Sequence, residues 1–167
     1  MDLFETMRTR KSIRKYKPEP IPEEKLNMIY ETAQKAPSVS NRQPWRFIVV
    51  QDPKRKKALS EIADQSFLNE AAAIIVATGD PTITPGWYEK DTMIATEHMI
   101  LAATALGYGT CWIGAFDEGA VKRLLKIPKK VKVVALFPIG VSDEKPAPRS
   151  RKELSEIIFK EEWRQVE

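Results

Sequence analysis

The stretch Pro37-Ser38-Val39-Ser40-Asn41-Arg42-Gln43-Pro44-Trp45-Arg46-Phe47-Ile48-Val49-Val50 contains a helix stop, a polar loop and an apolar strand in unbroken succession. Pro37 ends a helical pattern because its ring fixes φ and disfavours helix in the residue before it. Ser38 to Pro44 is rich in hydroxyl and amide groups, which favour turns through local hydrogen bonds and also suit ligand contact. Trp45 to Val50 is aromatic and β-branched enough to read as a buried strand.

Upstream of this stretch, Leu26, Ile29, Tyr30, Ala33 and Ala36 recur at helical spacing, with Pro22 at a first-turn position ahead of Glu23 and Glu24. Pro18, Pro20 and Pro22 separate that helix from a shorter one, opened by Asp2 and Glu5 in capping-box spacing and running to about Arg8. Downstream, Pro53 to Asp64 reads as a surface helix, Ala71 to Thr78 as a second strand and Thr82 to Gly86 as loop. Residues 89–106 are apolar over more than one helical face before Gly107, and such a helix needs cover nearly all round. Its own sheet and neighbours can supply that cover, or a second subunit can. Gly109 to Gly114 reads as a third strand, Asp117 as the cap of a short helix bearing Val121, Leu124 and Leu125, and Val131 to Ile139 as a fourth strand. An extended tail, Lys145 to Arg151, precedes a last short helix marked by Leu154, Ile157 and Ile158. Alternating helices and strands of this kind indicate a three-layer α/β domain.

With 167 residues, 43% of them hydrophobic and 30% charged, the chain is expected to form one domain, residues 1–167. No apolar run approaches the roughly 20 residues of a membrane span, and the acidic start is unlike a signal peptide. The expectation is therefore a cytoplasmic protein with no membrane partner. Cys111 is the only cysteine and His98 the only histidine, which removes an internal disulfide, a thiolate zinc site and chemistry needing two histidines. Both read as core residues. No metal is expected, and an inventory this poor in nucleophiles and bases points to an organic cofactor. The net charge of +4 allows nucleic acid, an anionic surface or a phosphorylated ligand. Lys54-Arg55-Lys56-Lys57 and Lys129-Lys130 lack interleaved aromatics and read as solvated surface, so no nucleic-acid partner is expected.

Four separated motifs say more. Arg10-Lys11-Ser12-Ile13-Arg14 follows the first helix; Pro37 to Trp45 joins helix to strand; Gly107-Tyr108-Gly109-Thr110-Cys111-Trp112-Ile113-Gly114 follows the long helix; and Arg149-Ser150-Arg151 stands near the C-terminus. In order and spacing the chain resembles the nitroreductase family. The resemblance implies an α+β fold, a mixed and largely antiparallel sheet flanked by helices, in place of the α/β reading. It also implies a homodimer with FMN at the interface, NAD(P)H as electron donor, and a small-molecule electron acceptor such as a nitroaromatic or quinone.

The same resemblance assigns residues to the cofactor. Arg10, with Lys11 and Ser12, would meet the phosphate and ribityl chain, and Arg14 the pyrimidine edge near N1 and O2. Guanidinium forks and hydroxyls suit those acceptors on chemical grounds as well. Arg149 and Arg151 would approach the phosphate, although alternation along an extended tail would point them to opposite sides. Pro37, Ser38, Val39 and Asn41 would reach the isoalloxazine ring from the partner subunit, with Asn69 a further ring contact. Trp112, Ile113 and Gly114 would pack along the flavin, the Gly114 backbone near N5. Residues 64–89 are shorter than the corresponding span in longer members, which leaves the acceptor open, dehalogenation included, with Trp87 and Tyr88 as a reduced lid or as packing. A flavin-storage protein is the alternative from another class.

Overall fold

The computed structural model describes residues 1–163. In chain order the helices are α1 (Leu3–Thr9), α2 (Glu23–Gln34), α3 (Pro53–Ile62), α4 (Tyr88–Ala105), α5 (Glu118–Leu125) and α6 (Leu154–Ile157), and the strands are β1 (Trp45–Val50), β2 (Ala73–Gly79), β3 (Gly109–Thr110) and β4 (Lys132–Gly140). Two starts are fixed as the sequence implies, Asp2 and Asp117 each accepting an N–H three residues on at 3.0 Å, and the structure adds a third, Asp52, at 2.9 Å. Pro22 sits one position earlier than expected, at the N-cap of α2. At the other end of α4, Gly107 takes φ +86, a conformation that side chains with a Cβ resist.

The sheet runs β1-β2-β4-β3, and every neighbouring pair is antiparallel. A parallel element survives only as an isolated bridge between Ser12 and Thr110. The α+β architecture is therefore the observed one. The layers read from the residues alone are nevertheless present, because helices cover both faces. Successive side chains of a strand point to opposite faces. On one face Ile74, Val76 and Leu136 pack with Leu59 of α3 and Val121 of α5. On the other, Ile75, Phe137 and Ile139 pack with Leu26 and Ile29 of α2 and Met99 of α4. Buried on both faces, β2 is apolar at nearly every position, and each such side chain contributes about 1.5–3 kcal/mol.

The third strand is shorter than expected. Gly109 and Thr110 pair with β4, Cys111 and Trp112 leave the ladder, and Ile113 rejoins it as a single bridge to Leu136. The long helix is covered on one face only. Ala95, Met99, Ile100 and Ala103 face the sheet, whereas Met93 and Ile94 remain 43% and 41% exposed. A groove of about 560 Å³ opens between α1, α2 and the Leu101–Ala105 side of α4, with Leu3, Met7 and His98 on its walls. His98 is thus half-buried at a rim, its Nδ1 3.4 Å from the Thr32 carbonyl, rather than enclosed in the core. Among the described residues no helix is long and apolar enough to cross a membrane.

Close approaches fix one edge of this fold. A Cβ at Gly140 would stand 2.7 Å from the buried Tyr16 ring, and one at Gly109 would stand 2.8 Å from Ile13. Gly140→Ala is expected to destabilise the fold by about 1–3 kcal/mol, as overpacking does, measured as a lower urea midpoint with unchanged slope.

Candidate functional site

Residues 10–17 form the scaffold of the site. The Ile13 N–H donates to the Thr110 carbonyl at 2.8 Å, and the Lys17 N–H to the Val141 carbonyl at 2.9 Å. Tyr16 pairs with Ser142, while its hydroxyl donates to the Ile13 carbonyl at 2.7 Å. Glu144 accepts the Arg14 N–H, and Lys11 Nζ donates to the Pro146 carbonyl at 2.8 Å. The N-terminal basic segment and the C-terminal tail are thereby laced side by side.

The result is a concavity of about 140 Å³ lined by Arg10, Lys11, Ser12, Arg14, Arg149 and Arg151 with Pro146 and Ala147. Among the described residues it holds five cations and a hydroxyl, and no carboxylate lines it. Arg149 and Arg151 share this one concavity despite their alternating positions; the Arg151 side chain folds back along the extended tail, its Nη1 donating to the Ser150 carbonyl at 3.1 Å. Such a set of guanidiniums suits a compact polyanion, a phosphate above all. Burial pushes the Cys111 thiol above its usual range, while Arg14, Ser12 and Arg10 pull the other way. Burial also pushes the Tyr16 phenol strongly upward. Both groups are read as structural.

The second set of candidate residues lies elsewhere. Pro37, Ser38, Val39 and Asn41 belong to the loop before β1, and none of them lines the basic concavity. Val39 to Asn41 form one 3-10 turn in which Ser40 and Asn41 take φ +48 and +53, and Gln43 follows at +48. Left-handed backbone costs about 1–2 kcal/mol per non-glycine residue, so the loop needs outside restraint. Two contacts supply it, Val39 N–H to Asp91 Oδ1 at 3.2 Å and Arg42 Nη1 to the Ile83 carbonyl at 3.3 Å, while Gln43 N–H to Ser38 Oγ at 2.9 Å closes the loop on itself. Asn69 is exposed at the end of a 3-10 turn, Ser66–Asn69. Trp112 is half-buried, Ile113 is buried and Gly114 is exposed at the end of the interrupted strand.

Trp87 stands 50% exposed with Lys90 Nζ 4.5 Å from its ring, whereas Tyr88 packs over Gly79. The two aromatics therefore do different things, and only Trp87 is placed as a surface lid would be. Sequence reasoning passed over Glu144 and Asp91, which act on main-chain groups far away in sequence. Lys56, read as solvated, donates to the Ala71 carbonyl at 2.6 Å, and burial lowers its pKa.

The nitroreductase family model matches residues 7–73 and 59–141, which takes in the basic segment, the left-handed loop and the whole sheet. The chain belongs to the nitroreductase family. A nitroreductase family protein of Clostridium novyi NT is 40% identical in sequence, with a TM-score of 0.81 over 86% of this chain and 87% of that one. The FMN-dependent nitroreductase of Clostridium difficile R20291 is 30% identical, with a TM-score of 0.86 over 93% and 97%. The FMN reductase (NAD(P)H) of Bacillus subtilis strain 168 is 33% identical over 175 residues, covering 90% of this chain and 68% of that protein.

Two outcomes are expected from this geometry. Lys11→Met removes one strap but little burial, so stability should change by less than about 0.5 kcal/mol while limited proteolysis within residues 145–151 becomes faster. The unfolded chain ionises Cys111 at the ordinary thiol pKa, whereas the folded chain holds the proton to higher pH. Above the ordinary value the native state then binds more protons, and stability falls as pH rises. A disulfide reagent at pH 8 should accordingly leave native Cys111 unmodified and label it on unfolding in urea.

Proposed function

We propose that this member of the nitroreductase family is an FMN-dependent NAD(P)H oxidoreductase. The observation that carries the reading is the basic concavity, where five cations and Ser12 converge with no acid among the lining residues. A dianionic phosphate fits that donor set in charge and in hydrogen-bonding capacity. FMN, when bound, supplies a hydride carrier that takes two electrons from NAD(P)H and passes them to a nitroaromatic, quinone or related acceptor in ping-pong order.

What the chain contributes is binding, orientation and charge. Arg10, Lys11, Ser12, Arg149 and Arg151 hold the phosphate and ribityl end. Arg14 is assigned to the pyrimidine edge, where a cation stabilises the negative charge that reduction leaves. Trp112, Ile113 and Gly114, at the end of the interrupted strand, are assigned to the ring and N5 region. A second copy of this chain is assigned to the groove along α1 and α4 that Leu3 and Met7 line, and to the neighbouring surface where Met93 and Ile94 are exposed. That copy would bring Pro37, Ser38, Val39 and Asn41 to the ring, with Asn69 a further contact. A cytoplasmic location accords with the single, unpaired cysteine.

Anaerobic titration tests the reading. The purified protein is expected to show flavin absorption near one FMN per chain, bleached by NADH or NADPH and restored by a quinone. Flavin that neither nucleotide bleaches would leave a storage protein, and absence of flavin binding would remove the reading altogether. Arg14→Ala is expected to weaken FMN binding about tenfold and to make the retained flavin harder to reduce.

A further inference from the structure

Asp91 lies in the first turn of α4 and is 3% exposed. A carboxylate so deeply buried normally accepts several hydrogen bonds, because desolvation is otherwise uncompensated. This one accepts a single bond among the described residues. Oδ1 takes the Val39 N–H at 3.2 Å, and Oδ2 is buried without a partner. Thr84, just before the same helix, has a buried and unpartnered hydroxyl too. The carboxylate is therefore not explained by its own satisfaction. Its one side-chain hydrogen bond among the described residues is to the first amide of the turn in which Ser40 and Asn41, and Gln43 after them, take left-handed backbone.

The location gives that bond its meaning. Met93 and Ile94, two and three residues beyond Asp91, belong to the uncovered side of α4. The other loop restraints are weaker as anchors. Ser38 Oγ closes the loop on itself, and Arg42 reaches a carbonyl at 3.3 Å through an exposed side chain. Asp91 is the buried side chain that ties the loop to the helix facing the second subunit.

We infer that Asp91 is a positioning residue: it fixes residues 38–43 in their left-handed shape and so sets how the loop meets the ring and the acceptor in the dimer. The second half of this statement rests on the proposed FMN site, and the first half does not. Because the phosphate is gripped by a separate concavity, loss of the Asp91 bond disturbs the ring end and spares the phosphate end.

Amide hydrogen exchange on the flavin-free protein reads the first half. Loss of the hydrogen bond to Asp91 Oδ1 in Asp91→Ala is expected to speed Val39 exchange about tenfold. Asp91→Asn, which keeps an acceptor oxygen, is expected to stay near wild type. Steady-state kinetics and FMN titration on the loaded dimer read the second half. The alanine variant is expected to raise the quinone KM and to shift the visible flavin band, with FMN affinity close to wild type and rescue by asparagine. Unchanged Val39 exchange, or FMN affinity falling as far as the KM rises, overturns the inference. Wild-type protein that binds no FMN would instead sink the proposed function and leave the exchange result to stand. Asp91→Ser, too short to reach Val39, replaces the alanine variant if the latter fails to fold, with the same expectations.

Discussion

Five like charges do not gather in a small concavity unless the main chain leaves them no alternative. Here the restraint is the lacing of residues 10–17 between Thr110 on one side and residues 141–146 on the other, seated on two glycines that admit Tyr16 and Ile13 at contact distance. The sheet supplies the rails, since Thr110 ends β3 and Gly140 ends β4. The repulsion among the cations is thus met by hydrophobic burial elsewhere, and an incoming polyanion relieves it. This division of labour ties the main chain of the basic segment to the sheet, while Arg149 and Arg151 reach the concavity from the exposed tail.

The dependence runs outward to the rest of the molecule. Both faces of the sheet are needed, because β2 and β4 hold the glycine edge in place only while α3 and α5 cover one side and α2 and α4 the other. The long helix then has a double duty. One face completes the core, while the other is left apolar and open, and its first turn reaches the loop before β1 through Asp91. Elements remote in sequence are coupled through side chains that each do one simple thing.

Local signals carried most of the helices and strands into view in the sequence. Aspartates at two helix starts, proline stops and the alternation of buried faces all act within a few residues, so they can be read without a partner. Strand direction was not legible in this way, since helix–strand alternation fits parallel and antiparallel pairing equally; the resemblance of four motifs supplied it. The expected strand from Gly109 to Gly114 failed at Cys111 and Trp112 because pairing with β4, not propensity, decides where a ladder stops. For the site, the basic residues were legible as types but their convergence was not. Arg149 and Arg151 line one concavity although alternation along an extended tail would separate them, and Glu144 and Asp91 act on backbone groups that no local pattern connects to them.

The basic concavity draws residues 10–14 and 149–151 together, so a ligand seated there joins segments near the two ends of the chain. Such a ligand closes nearly the longest loop the polypeptide can form, and it does so non-covalently. Binding to the native state alone raises stability with ligand concentration, and the logarithmic growth of loop entropy makes long closures only modestly more costly than short ones. A ligand held there would act as a clasp against fraying from either terminus.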